Sequence, residues 1–183
     1  MKIAKLLLIF LLPIVGISAQ EKSGRWLVDG KPAEDSEWSK AKNGFGAQLI
    51  VVGDPRAFME MWNRPEQPNI QPAKTVTQEQ QFGAFIIYVN CRAGKDGNCN
   101  ATVDFTVLGP NGKEVAERPN QIIWNGPPMD SKTMYMGKAV LGLRLSERNS
   151  PGKYKIFATV SDKNAAASFD LSYEVELTPN PSR

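Results

Sequence analysis

The chain has 183 residues, a formal net charge of +3 and no histidine. A charge this near zero, with lysine and glutamate interspersed, excludes an electrostatic footprint for nucleic acid or anionic lipid. The lack of imidazole excludes Ser-His-Asp and Cys-His catalysis and every metal site built on histidine.

At the N-terminus, Lys2 and Lys5 precede the apolar run Leu6–Val15, and Gly16-Ile17-Ser18-Ala19 supplies small residues. This is the pattern of a cleavable secretory signal over residues 1–19. The competing reading, an uncleaved anchor, is disfavoured because the run falls short of the roughly 20 residues a span requires. No cysteine lies near the cut, so a lipoprotein anchor is not expected. Cleavage after Ala19 leaves 183 − 19 = 164 residues, and losing two lysines takes the charge from +3 to +1. That length suits one domain with a real core. A periplasmic or secreted protein, without stable membrane insertion, is expected.

Residues 20–80 read as an N-terminal extension. Gln20–Gly46 is polar and glycine-rich without a clear period, an arm anchored by Trp26 and Trp38. Ala47–Val52 is a short buried strand. Asp54 suits a helix N-cap and Pro55 the first helical position. Phe58, Met61 and Trp62 then share one face, which predicts a short helix over 55–62. The segment 63–72 carries Pro65, Pro68 and Pro72 and must be extended or irregular. It is a candidate partner-binding ribbon, or more simply a crossing loop.

Residues 81–178 have β texture. Phe85–Val89 suits a central strand. Cys91 and Cys99 enclose Arg-Ala-Gly-Lys-Asp-Gly-Asn, and in an exported chain they predict one disulfide. Closing so small a loop stabilises by about 2–3 kcal/mol on the chain-entropy model. A redox pair is disfavoured, because the spacing is not C-x-x-C and no histidine activates a thiolate. Ala101–Leu108 alternates, so the whole stretch reads as a hairpin with the cystine loop at its tip. Gly109-Pro110-Asn111-Gly112 is a tight turn, followed by a return strand over 113–117 and a brief strand over 121–124. Asn125-Gly126-Pro127-Pro128 breaks the chain again. Further strands are expected at Ala139–Leu145, Lys153–Ser161 and Ser168–Leu177, the last with strict apolar and polar alternation. Residues 179–183 form a polar tail.

Seven or eight short strands with turns every 8–12 residues point to a sandwich. The stretch ERNSPGKYKIFATVSD, residues 147–162, resembles the P-G-x-Y turn into a late strand of immunoglobulin-like and fibronectin-type-III-like domains. The resemblance covers Gln81–Leu177, is one of fold, and brings no family with an assigned activity. It implies that Tyr154 is the corner tyrosine. The intersheet Cys…Trp…Cys arrangement of antibody domains is absent. The expected fold class is therefore mainly β, an immunoglobulin-like antiparallel β-sandwich with an N-terminal extension carrying one short helix.

Motifs for chemistry are few. Ser150 and Lys153 match S-x-x-K, but Pro151-Gly152 prevents the helical turn that chemistry needs. Asp162-Lys163-Asn164 opens like a calcium loop and fails at Ala165, Ala166 and Ala167. No glycine-rich phosphate loop is present. Asp104, Asp170, Glu174 and Glu176 are the acids for a carboxylate-only enzyme, although the last three fall on the polar face of a strand. Met129, Met134 and Met136 suit Cu(I) by softness, with Met134 and Met136 on one strand face, and core filling is the plainer reading. Asn100-Ala101-Thr102 is a glycosylation sequon, meaningful only in a eukaryotic secretory pathway. No catalytic residue, cofactor or metal is assigned.

The expected role is binding, with a protein partner in the cell envelope. The expected surface is the Cys91–Cys99 loop, with Arg92, Lys95 and Asp96, and the Asn125–Asp130 loop beside Trp124; the competing reading is that both loops are plain connections. Unpaired sheet edges would offer β-augmentation. The alternatives are glycan binding on Trp26, Trp38, Trp62 or Trp124, which requires at least two exposed coplanar rings, and carboxylate catalysis, which requires two acids in one cleft.

Overall fold

The computed structural model describes residues 27–28, 31–66, 68–131 and 133–180, with side chains from Ala33 onward. The expected signal segment, Trp26 and tail residues 181–183 lie outside the described residues. A minimal ribbon pairs β1 (Leu27–Val28) with β2 (Lys31–Pro32). Then follow β3 (Ser39–Lys42), β4 (Phe45–Val52), α1 (Pro55–Trp62), β5 (Thr75–Thr77) and β6 (Gln81–Val89). The second half contains β7 (Ala101–Leu108), β8 (Glu114–Trp124), β9 (Tyr135–Arg144), β10 (Gly152–Asp162) and β11 (Ala167–Thr178).

The protein is mainly β. A four-stranded sheet in the order β3-β4-β6-β9 faces a five-stranded sheet in the order β5-β11-β10-β7-β8. Period-2 alternation places one side of each strand inward. Val103, Phe105 and Val107 of β7 and Ile156, Ala158 and Val160 of β10 meet Leu49, Val51, Ala84 and Ile86 of the other sheet in one buried cluster. Each fully buried large side chain contributes about 1.5–3 kcal/mol. Every pairing between strands of the two sheets is antiparallel except one: β5 runs parallel to β11, so the five-stranded sheet is mixed.

The absence of alternation in β4 and β6 has its own cause. Their outward residues Ile50, Val52, Phe85 and Ile87 form a second apolar cluster with Phe58 of α1. The Phe58 and Phe85 rings lie 4.7 Å apart, and Met61, Trp62 and Ile70 pack around them. Asp54 caps the helix by accepting the Ala57 N–H at 3.0 Å. The helix and the proline-rich segment thus cover the outer face of the four-stranded sheet.

Three expectations are corrected. From Ser39 onward the supposed N-terminal extension belongs to the sandwich, because β3, β4 and β5 are strands of its two sheets. The turn between β3 and β4 is Asn43-Gly44, with φ of 51° and 83°. Asn-Gly accepts positive φ at both positions and so closes a two-residue hairpin. The cystine loop, in turn, is not a hairpin tip. β6 pairs with β4 and β9, β7 with β8 and β10, and the loop crosses from one sheet to the other. A strand buried on both faces takes central neighbours in its own sheet, and the sequence adjacency of β6 and β7 does not pair them. Lastly, the brief strands over 113–117 and 121–124 are one strand, β8, which runs through Pro119. Proline is tolerated there because β8 is an edge strand whose register shifts by bulging.

Candidate functional site

The end of the sandwich beside the disulfide is organised by Asp162, the last residue of β10. Its side chain is fully buried. One carboxylate oxygen accepts the Arg92 N–H at 2.8 Å, and the other accepts those of Asn164 at 3.0 Å and Ala165 at 3.3 Å. A buried carboxylate is stable when backbone amides satisfy it. The residue that opened like a calcium ligand is therefore occupied with protein donors. Asn164 completes the knot, its side-chain amide donating to the carbonyls of Arg92 at 3.1 Å and Asn98 at 3.0 Å.

Cys91 and Cys99 form a disulfide with a Cα–Cα distance of 5.8 Å. Both are buried in the main core, Cys91 just after β6 and Cys99 just before β7, so the bond staples the two sheets. Within the loop, Gly94 N–H donates to Asn98 O at 2.8 Å, and Cys99 N–H donates to Gly126 O at 2.8 Å. Lys163 N–H donates to Asn100 O at 3.0 Å. Asp96 accepts the backbone and side-chain amides of Asn98 at 3.1 and 3.3 Å. The backbone bond, then the side-chain bond, holds the Asp96 carboxyl below the ordinary aspartate range.

The expected binding residues divide. Arg92 and Lys95 are exposed, and neither side chain has a hydrogen-bond or ion-pair partner among the described residues. Asp96 and Asn125 line a common cleft, described below. Trp124 packs half-buried against the core, its indole N–H donating to Pro127 O at 2.8 Å. Lys138 sits 4.6 Å above that ring and donates to the Asn125 side-chain oxygen at 2.9 Å. At the other end of β10, Tyr154 is buried and its hydroxyl donates to Ser150 O at 2.9 Å.

Between the cystine loop, the start of β7, β8 and the β10–β11 turn lies a cleft of about 460 Å³. Its walls include Asn98, Asn100, Thr102, Asn120, Ile122 and Asn125. Reading the sequence missed Asn100, Asn120 and Ile122 as a site because Asn100 precedes β7 while Asn120 and Ile122 lie on β8, and only the pairing of β7 with β8 brings them together. The only local signal was the density of asparagine on both sides of Cys99.

Other candidates separate in space. Trp62 packs on Phe58 at 5.9 Å, Trp124 lies under Lys138, and Trp38 is exposed. No two described tryptophan rings are in contact. Met136 packs under α1 while Met129 and Met134 are exposed, Met134 lying before β9 begins, so the thioethers do not share a face. Asp170 accepts the Thr159 hydroxyl at 2.8 Å, Glu174 pairs with Lys153 at 2.8 Å, and Asp104 accepts the Asn120 N–H. Among the described residues no group of three or more His, Cys, Asp or Glu side chains is placed to hold a metal ion. No helix among them is long and apolar enough to cross a membrane.

No family model matches the chain, and no curated protein matches it. Among solved structures, a family 123 glycoside hydrolase from Clostridium perfringens is similar at 10% identity and a TM-score of 0.40, covering 73% of this chain and 27% of its own. A CARDB domain from Pyrococcus furiosus, solved in complex with di-metal ions, is similar at 12% identity and a TM-score of 0.37, covering 80% of this chain and 100% of its own. A beta-glucosidase from Listeria innocua is similar at 8% identity and a TM-score of 0.39, covering 82% of this chain and 18% of its own. The chain thus spans about a quarter or less of the length of the two enzymes. Likeness at this level carries no argument about function.

Proposed function

We propose that this chain is an exported, non-catalytic binding protein of the periplasm or cell envelope, and that its partner is a protein seated on the cystine loop. The observation that supports this reading is the contrast within that loop. Its backbone is held by the disulfide, by Asp162 and by Asn164, while the Arg92 and Lys95 side chains project without partners among the described residues. A loop fixed before binding loses little conformational entropy on association, and exposed arginine and lysine suit an acidic surface on the partner. Export rests on the N-terminal sequence pattern and on the disulfide.

The test is a crosslinked pull-down from the source organism's envelope fraction, run with wild type and with Arg92→Glu/Lys95→Glu. One protein recovered reproducibly by wild type, lost with the variant, and rebinding as a purified component is the expected result. Equal recovery by both chains would remove the loop from the interface.

A further inference from the structure

The cleft beside the loop offers accessible polar groups that the protein-partner reading does not use. The side-chain amides of Asn100 and Asn120 and the Thr102 hydroxyl make no hydrogen bond within the described protein. Each amide both donates and accepts, as does a hydroxyl group. Ile122, 45% exposed, adds an apolar surface on the same wall. The charged lining residues are Asp96 and Lys163, one of each sign. A cation would meet the lysine and an anion the aspartate, so the lining favours an uncharged ligand. Its volume falls in the range of small-molecule sites, about 300–1,000 Å³.

The wall is also built to aim. β8 shifts register against β7 between Ala101 and Thr102 and again between Val103 and Phe105. Asn120 lies within the second of these shifts with φ of 52°, its backbone N–H held by the Asp104 carboxylate. Bulges re-aim side chains and interrupt the regular repeat of backbone donors and acceptors. Pro119 removes one further donor from the same edge. An added peptide strand would need that regular repeat, whereas a sugar needs only local donors, acceptors and an apolar patch.

We propose that this cleft is a binding site for an uncharged, hydroxyl-rich ligand, a short oligosaccharide, recognised by Asn100, Asn120 and Thr102 with Ile122 against the C–H face of a ring. The site uses neither the tryptophans nor the Arg92 and Lys95 side chains that carry the proposed protein contact, although Asp96 and Asn98 of the cystine loop form part of its wall.

The test titrates the isotope-labelled, disulfide-intact protein with maltotriose, chitotriose and mannotriose to millimolar concentration, following backbone amide, side-chain amide and isoleucine methyl resonances by NMR. The expected result is saturable shifts at Asn100, Asn120 and Ile122 with at least one sugar. Affinity should fall roughly tenfold or more in Asn100→Ala and in Asn120→Gly, the glycine keeping the positive φ without strain. Ile122→Ser, on a different wall position, should also weaken binding, and unchanged resonances elsewhere show that the variants are folded. Absence of saturable shifts with all three sugars overturns the proposal, as do shifts centred outside the cleft. A triglycine peptide that shifts these resonances when no sugar does so would reassign the cleft to peptide. Arg92→Glu/Lys95→Glu should leave sugar binding unchanged, so the two readings fail separately.

Discussion

The two ends of β10 are pinned by different chemistry. At its start, Tyr154 fills the core with its ring and returns one hydroxyl bond to Ser150, four residues back. At its end, Asp162 accepts three backbone N–H groups, one of them from Arg92, 70 residues earlier. The first pin secures its own corner. The second ties the cystine loop to the β10–β11 turn, and the candidate sites lie at that end. One buried carboxylate that joins a long-range bond from Arg92 to two local bonds from its own turn fixes both segments together, so a loop held this way presents its side chains in a defined arrangement.

Five substitutions, the two cysteines changed together, sharpen or break this contrast, measured first as denaturant unfolding. Asp162→Ala leaves three backbone amides without their acceptor and should cost on the order of 3 kcal/mol, since bonds to charged groups are worth about 1.5–3 kcal/mol each. Hydrogen exchange at Arg92 and Asn164 should accelerate with it, and a cost under about 1 kcal/mol would show that the knot is not a pin. Cys91→Ser with Cys99→Ser should cost about 2–3 kcal/mol. Combined with Asp162→Ala the losses should sum to less than their total, because both changes free the same loop. Full additivity would mean that disulfide and carboxylate hold separate units.

Tyr154→Phe keeps the ring and removes one hydrogen bond, so about 1 kcal/mol is expected, without faster exchange in the cystine loop. A larger loss than that of Asp162→Ala would invert the comparison. Lys138→Ala removes a cation over the Trp124 ring and should cost roughly 0.5 kcal/mol. Its more sensitive readout is indole fluorescence, which should shift as the ring gains exposure, and an unchanged spectrum would argue against the stacked geometry.

Several elements were legible because their causes are local. The helix over 55–62 follows from Asp54-Pro55 and the spacing of Phe58, Met61 and Trp62, and α1 spans those residues. The alternating strands β7, β10 and β11 follow from period 2. The β3–β4 hairpin was missed although its Asn43-Gly44 signal was present, because a polar segment without a clear period read as an arm. Its seating was beyond sequence inspection: the Asn43 side-chain amide donates to the carbonyls of Ala165 and Ala166, some 120 residues away.

By itself the sequence determined what short-range sterics and periodicity control: a mainly β chain, one capped helix, tight turns, and the two cysteines close enough to pair. Sheet membership was decided only in three dimensions. Neither flank of the cystine loop says whether β6 and β7 pair or part, since a strand apolar on both faces requires neighbours and cover that only the tertiary packing supplies. The cleft depends on the same level. Asn100 and Asn120 share a wall because antiparallel pairing and two register shifts in β8 bring β7 and β8 together there, and those follow from long-range contacts formed as the whole sandwich closes.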